Sequence, residues 1–594
     1  MKPTMEILER IQNNSRNHPD EIFTRLYRYL LRPDLYFAAY KNLYANKGAS
    51  TKGVDDDTAD GFSKEKVERI IQSLAKESYT PKPARRSYIK KKNSKKQRPL
   101  GIPTFTDKLV QEALRLIFEA VYEPTFSPCS HGFRPNRSCH TALKSLKREF
   151  TGVSWFIEGD IKGCFDNIDH HTLVQILQEK VKDARLLKLI WKFLKAGYLE
   201  DWKYHATYSG CPQGGIISPL LANIYLNELD KFAGKVAGEF YQPRERVHTV
   251  EYDRVCGQLS KLRKLLKTAS GLEKAKLLAE QKRWKTQLLQ TPCTSKTDKV
   301  MKYIRYADDF IIGVKGSRED CEKLKAQFAD FISCQLKMEL SQEKTLITHS
   351  SQYAKFLGYL IRVRRDSTAK PVGNHLIRSR NGKVELCVPF QEKIMPFLFR
   401  KSTIKQKPDG TIEPIARKFL YNCTDLEIIA AFNAELRGMC NYYGLASNFN
   451  RLGYFSYLME YSCLKTLAGK HKTTARKILG RYQDGKAWGI PYETAKGKKL
   501  CRFANFMDCK NPVSFDETII DYTLRYGNNR NTLEKRLSAE VCELCGKAGV
   551  PLEIHHVNKV KNLKGKEYWE QVMIAKQRKT LALCHQCHTN IHHP

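Results

Sequence analysis

The segment KYIRYADDFIIGV, residues 302–314, constrains this chain more than any other. Two adjacent acids, Asp308 and Asp309, interrupt a run of strand-forming residues. That pattern places the carboxylates at or near a hairpin tip, where they can hold a divalent metal instead of facing a core. A lone Asp-Asp at a turn is ordinarily just solvated. A second segment changes the weighing: in WFIEGDIKGCFDNIDH, Asp160 ends a strand predicted over Trp155 to Ile161. Together the two segments predict three acids brought together from separate strands.

Composition narrows the class. The 594 residues carry 102 Lys and Arg against 63 Asp and Glu, and 102 − 63 = +39. A field of that size attracts polyanions, with nucleic acid and anionic membrane as the usual candidates. The chain begins MKPTMEILERIQNN, with Glu6, Glu9 and Arg10 where a signal peptide needs an apolar core, and it holds no apolar run of spanning length. The expectation is a non-secreted, cytoplasmic protein, bacterial or organellar, with no membrane partner. At 41% hydrophobic and 10% aromatic, global disorder is excluded. Most of the 18 cysteines are scattered singly, as suits a reducing compartment.

Along the chain, residues 1–80 read as a helical preface with a turn-rich loop from Gly48 to Asp60. From Arg85 to Arg98 there are eight Lys or Arg and no acid, a basic hairpin leading into RPLGIPT. Helices and strands then alternate to about Leu360, an α+β pattern. A helical insertion at about 235–297 breaks it, with Leu259, Leu262 and Leu266 before Gly271 and Leu277, Trp284 and Leu288 after it. An all-helical domain is predicted over about 380–470, where Thr424 to Glu427 forms a capping box and Ile429, Phe432, Leu436, Met439 and Tyr443 share a face. From Arg476 to Arg502, eight basic residues face two acids and interleave with Tyr482, Trp488 and Tyr492. That mixture suits phosphate pairing and base stacking, or simply a small module with a basic surface.

The tail carries four exceptional cysteines. Cys542 and Cys545, then Cys584 and Cys587, form two C-x-x-C pairs separated by 38 residues, a thiolate set for one structural Zn²⁺. Between them lies EIHHV, residues 553–557, and after them His588 and His592 stand one helical turn apart. Histidines on two facing elements can hold a divalent ion while a third polarises water.

Nucleotide transfer needs carboxylates from separate strands to hold two Mg²⁺, and Asp160, Asp308 and Asp309 can supply them. In these segments the chain resembles the reverse transcriptases encoded by mobile group II introns. The resemblance implies right-hand fingers and palm over 81–365, an all-helical thumb or maturase domain over 366–470, a DNA-binding region over 471–540 and an endonuclease domain over 541–594. YADD resembles the family's metal motif. Phe165 matches the aromatic that rejects a 2′-hydroxyl. RPLGIPTFTDKLVQEAL and SHGFRPNRSCHTAL resemble fingers motifs, implying Arg98 and Lys90 at the triphosphate and Arg134 near the template. SGCPQGGIISPLLANIYLNELD resembles the motif in which Gln213 and Gly214 line the nucleotide pocket. LSQEKTLI, with Lys344, resembles the late palm motif, FLGY at 356–359 the primer grip, and RGMCNYYGLASNF the maturase region.

The tail resembles an H-N-H endonuclease of zinc-stabilised ββα-metal type. The resemblance implies His556 as general base and His555, His588 and His592 as ligands of a catalytic divalent metal, Mg²⁺. One departure stands out: Thr580 occupies the place of the middle asparagine. The family implies a protein that binds its intron RNA, assists splicing, cleaves one strand of target DNA and copies the RNA using dNTPs. A reverse transcriptase unlinked to an intron, or a splicing cofactor with an inactive endonuclease, are the alternatives. Oligomeric state, homodimer included, stays open.

Overall fold

The structure is a computed structural model. It describes residues 2–46, 48–90, 97–201, 203–211, 213–243, 247–293, 298–366, 368–373, 375–378, 381–485, 487–494, 497–509 and 532–593. The tip of the basic hairpin (91–96) and much of the predicted DNA-binding region (510–531) lie outside the described residues.

The acids sit on a four-stranded antiparallel sheet in the order Val300–Tyr306, Asp309–Lys315, Trp155–Asp160, Leu346–His349. The central strands are rich in Ile, Phe and Val, which fit a pleated, packed surface. Helix Arg318–Cys334 covers this sheet with Cys321, Leu324, Phe328 and Ile332, and its start is held by a Ser317–Asp320 capping box. The basic hairpin forms as expected, Ala84–Lys90 pairing with Gln97–Ile102. So does the insertion, as helices Val250–Thr268 and Gly271–Gln290; the first buries Val255, Leu259 and Leu262, the second buries none of its residues.

The all-helical reading of 366–470 is corrected. Helices Asp425–Tyr442 and Leu452–Lys470 are present, and the Thr424–Glu427 capping box forms. Strands accompany them, however: Val384–Cys387 joins Ala354–Phe356 and Tyr359–Val363 in one sheet, and two hairpins pair Ala369–Val372 with His375–Arg378 and Ile404–Gln406 with Ile412–Pro414. The second hairpin turns at Pro408-Asp409-Gly410, where the Asp409 carboxylate accepts from the Thr411 amide at 2.8 Å and Gly410 takes φ 82°. Pro-Asp-Gly is a turn signal with a known mechanism, overlooked because the flanking strands are only three residues long.

Trp488 is also corrected from base-stacking candidate to core residue. It is 3% exposed, stacks on Phe503 at 5.4 Å and donates its indole N–H to Glu460. In the tail, strands Leu552–His556 and Thr580–Cys584 precede helix His585–His592, the expected ββα order. A third strand comes from the other end of the chain: Phe62–Ser63 pairs antiparallel with the tail, Phe62 opposite Ile554. Phe62 is fully buried and stacks on Tyr40 at 4.1 Å, so one continuous core runs from the N-terminal helices through the acidic sheet's surroundings into the tail. Among the described residues no helix is long and apolar enough to cross a membrane.

Candidate functional site

Tyr306 pairs with Asp309 across a two-residue loop, so the hairpin tip is Ala307-Asp308. Ala307 takes φ 57°, a left-handed conformation an L-residue adopts only when its surroundings enforce it. The enforcement is visible. Gly132 lies so close that a Cβ there would stand 2.3 Å from the Ala307 nitrogen. The Ala307 carbonyl accepts from Arg305 Nη1 at 3.0 Å. Arg305 is wholly buried and also donates to both Asp230 oxygens (2.7 and 2.6 Å), to Asn223 Oδ1 and to Ser130 Oγ. Asn223 in turn donates to the Gly132 carbonyl. Arg305, Asp230 and Asn223 lie outside the motif-derived site; the usable signal is an arginine on the same strand face as Met301 and Tyr303, opposite the face of the exposed Lys302.

Asp160 lies directly opposite Asp309 on the neighbouring strand. Burial pushes the Asp308 carboxyl up, and burial followed by the charges of Asp308 and Asp160 pushes Asp309 up to about 7. Crowded acids of this kind are stabilised in their charged form by a divalent cation. Lys344 Nζ meets Asp160 at 2.7 Å, and Arg98 lowers the Asp308 carboxyl by its charge. A cleft of about 380 Å³ opens beside Asp160, Asp309 and Lys344 and is walled by Phe356 to Leu360. Leu357 and Gly358 form a two-residue turn with φ 46° and 73°. Tyr442 and Tyr443, at the end of helix Asp425–Tyr442, donate to the two turn carbonyls, tying FLGY to the maturase-like helix.

Phe165 is half-buried and meets Phe133 edge-on at 6.1 Å. Gln213 donates its side-chain amide to Asp166 at 3.2 Å, and its carbonyl accepts from the Gly101 amide at 2.6 Å. Gly214 is exposed with φ 114°, and a Cβ there would strike the Gly101 oxygen at 2.4 Å. Its close approach is therefore to the strand Gln97–Ile102. Arg98 and Lys90 are exposed on the basic hairpin. Arg134 is corrected: it is buried, donating to Glu123 and to the Ser127 and Ser130 carbonyls, and is not free for a template.

In the tail, the ligand atoms of Cys542, Cys545, Cys584 and Cys587 lie within 4.8 Å of one another, with the Cys545 and Cys584 sulfurs 3.9 Å apart. Tetrahedral zinc with Zn–S of about 2.3 Å separates its sulfurs by about 3.8 Å, so the set fits. Burial raises the Cys542 thiol, but backbone amides led by that of Cys545 outweigh it and hold it at about 7. A second cluster joins His555, His588 and His592 to Asp60 of the N-terminal loop. His588 Nδ1 meets Glu553 at 2.6 Å, which turns Nε2 toward Asp60 Oδ2 at 3.2 Å; His592 Nε2 is 2.8 Å from the same oxygen. Burial lowers His588, yet the two carboxylates raise it to about 9. Burial pushes Asp60 up, but the neighbouring imidazoles hold it well below the usual carboxylate range.

His556 is buried and lies opposite Thr580, whose hydroxyl accepts from Arg536 instead of reaching the imidazole. The His556 ring is held from the N-terminal segment, Nε2 standing 3.0 Å from the Tyr44 carbonyl. Burial pushes its pKa down. Asp60 and Tyr44 were absent from the sequence-derived site, since nothing local marks them as partners of the tail.

Comparison with known proteins agrees with this geometry. Residues 89–249 match the family "Reverse transcriptase (RNA-dependent DNA polymerase)", 381–518 the "Type II intron maturase" and 542–588 the "AI2M/AI1M-like, HNH endonuclease". The chain is 61% identical to the group II intron-encoded protein LtrA of Lactococcus lactis subsp. cremoris across 100% of both chains. It is 33% identical to the uncharacterized 91 kDa protein in cob intron of Schizosaccharomyces pombe, over 100% of this chain and 72% of that one. It is 25% identical to nuclear intron maturase 1, mitochondrial, of Arabidopsis thaliana, over 70% of this chain and 59% of that one. With acids poised for metal on one sheet, a maturase region tied to it and a thiolate-and-histidine tail, the chain belongs to the group II intron-encoded proteins that combine reverse transcriptase, maturase and H-N-H endonuclease.

Proposed function

We propose that the three activities of this family fall on three surfaces of the chain. The protein is an RNA-directed DNA polymerase and DNA endonuclease that assists splicing of a group II intron and supports its retrohoming. The observation that carries the polymerase assignment is the direct pairing of Asp160 with Asp309 beside the enforced Ala307-Asp308 tip. Asp160, Asp308 and Asp309 would hold the catalytic Mg²⁺, which when bound supplies Lewis acidity for the attacking 3′-hydroxyl and the leaving pyrophosphate. Lys344 limits repulsion among the acids, and Arg98, with Lys90 further along the hairpin, offers charge to a triphosphate. Phe165 selects the sugar, with Gln213 and Gly214 shaping the pocket beside it. Fingers and palm would span 81–365, the thumb 366–470 and the DNA-binding region 471–540.

In the tail, the four cysteines would hold a structural Zn²⁺. His555, His588 and His592 would hold the cleavage metal, and His556 would take a proton from water. Three imidazoles suit a borderline transition-metal ion better than the Mg²⁺ expected from sequence, because Mg²⁺ prefers oxygen. Much of the target is read by base pairing with the bound RNA, leaving backbone contacts to a chain of charge +39. The test is splicing of the flanking precursor RNA at low Mg²⁺ with and without purified protein. Ligated exons released only with protein are expected; DNA synthesis without any splicing stimulation would favour a polymerase unlinked to an intron.

A further inference from the structure

The endonuclease centre is closed by a residue from the opposite end of the chain. Asp60 is not loosely placed. Its Oδ1 accepts from the His556 amide at 2.7 Å, the next amide, Gly61, donates to the Ile554 carbonyl at 3.0 Å, and Phe62 then enters the tail sheet and is fully buried. The strand pairing thus delivers the carboxylate to one spot, with Oδ2 between the Nε2 atoms of His588 and His592.

His555 provides an independent observation. It is 4% exposed, yet among the described residues neither ring nitrogen has a hydrogen-bond partner, although Nδ1 stands 3.3 Å from Asp60 Oδ1. A buried imidazole left in that state is costly unless something else engages it. An ion among His555, His588, His592 and Asp60 would do so, and the Glu553–His588 contact is the carboxylate–histidine support that metal-binding histidines ordinarily have. The donor set, three nitrogens and one oxygen, fits a four-coordinate divalent transition metal.

Catalytic sites of this type hold metal with three protein ligands and leave one position open for water or substrate. In a metal held by the three histidines, the Asp60 carboxylate, with Oδ2 at 3.2 and 2.8 Å from His588 and His592 Nε2, would be the group available for that position. The nearby base is closed as well: His556 is 8% exposed and its Nε2 is engaged by the Tyr44 carbonyl. We propose that Asp60 is the fourth ligand of the endonuclease metal and that, in this docked state, it holds the position a scissile phosphate requires, so that DNA cleavage needs the Asp60 segment withdrawn. The inference rests on the H-N-H reading of the three histidines. It gives the N-terminal loop a second task, that of a metal-bound cap over the nuclease.

The test uses the zinc-loaded full-length protein carrying Asp160→Asn, Asp308→Asn and Asp309→Asn, which removes the polymerase carboxylates as competing metal ligands. Mn²⁺ binding is followed by calorimetry. Asp60→Asn, which keeps an oxygen to accept from His556, should weaken Mn²⁺ binding by about tenfold or more. At saturating Mn²⁺, the same variant in complex with intron RNA should nick target duplex faster than the protein with Asp60 intact. Unchanged affinity overturns the inference; so does weakened affinity with nicking lost at saturating metal, which would make Asp60 essential to cleavage. If Asp60→Asn disturbs folding, hydrogen exchange on the protein with Asp60 intact decides: Mn²⁺ should slow exchange at 60–63 together with 585–592, and protection confined to the tail overturns the proposal. His588→Ala separates the two readings. If it leaves Mn²⁺ affinity intact, the H-N-H assignment itself fails; if only Asp60→Asn is silent, the cap alone fails.

Discussion

The two candidate metal sites are built in opposite ways. The acidic centre draws Asp160, Asp308 and Asp309 from adjoining strands of one sheet, and its motifs announce the pairing by their strand-acid-strand rhythm. The histidine cluster takes three imidazoles from the tail and a carboxylate from a loop 496 residues before His556. Each is internally supported, by Arg305 in one and by Glu553 in the other. The difference teaches that a site within one sheet is defended by local packing, whereas a site joining distant segments depends on their docking.

The sharpest way to break this contrast is Asp308→Ala. DNA synthesis should fall by at least about a thousandfold, equivalent to about 4 kcal/mol of barrier. RNA binding and splicing stimulation should persist, as checked by primer extension beside filter binding; parallel loss would show that the acidic centre and the RNA-binding surface are not separate. Next comes Asp230→Ala, which leaves the buried Arg305 guanidinium without its ion pair. Loss of about 3–5 kcal/mol of stability is expected by denaturant unfolding. Zinc content of the tail should be unaffected, since the damage is confined to the YADD support.

Cys545→Ser should remove tail zinc and cleavage while polymerisation continues, read by metal analysis and paired activity assays. Because Phe62 is shared with the tail core, the Gly61 amide should exchange faster in that variant; a full zinc complement would contradict the thiolate site. Phe165→Ala should admit ribonucleotides with discrimination reduced by about tenfold or more. Unchanged discrimination would place the sugar gate elsewhere.

A further effect is a pH dependence of the acidic centre. Asp309 is raised from an ordinary carboxylate value to about 7, first by burial and then by Asp308 and Asp160. A raised folded-state pKa contributes stability that is present below the unfolded pKa and lost as pH rises through about 7. Without Mg²⁺, the melting temperature should therefore fall between about pH 4 and 7 relative to Asp309→Asn. Added Mg²⁺ should reverse the difference at the upper end, because the cation favours the charged acids.

The sequence reading was strongest where chemistry and periodicity coincide. The YADD tip, the basic hairpin, the helical insertion, the Thr424–Glu427 cap and the ββα tail all form. Apart from the tail, whose strands pair His556 with Thr580, each is specified by neighbours a few residues apart, so a local pattern carries the information. It failed where burial decides: Arg134 looks like a free cation and is a buried brace, and Trp488 looks like a stacking platform and is core. Pattern shows what a side chain can do, and packing shows whether it is available.

By itself the sequence determined the family, the classes of its three activities, and most of the helices, and it singled out the acids and thiolates that the fold then clusters. Hydrogen-bonding reach, turn propensity and metal-ligand spacing operate over short stretches, and short stretches are what a sequence displays. Only the tertiary structure decided that Arg305 enforces the strained Ala307, that Tyr442 and Tyr443 lock the FLGY turn, and that Asp60 reaches the tail histidines. Those pairings follow from strand register and a shared core. They form because burying Phe62 and satisfying backbone groups across distant segments lowers free energy only once the whole chain has folded.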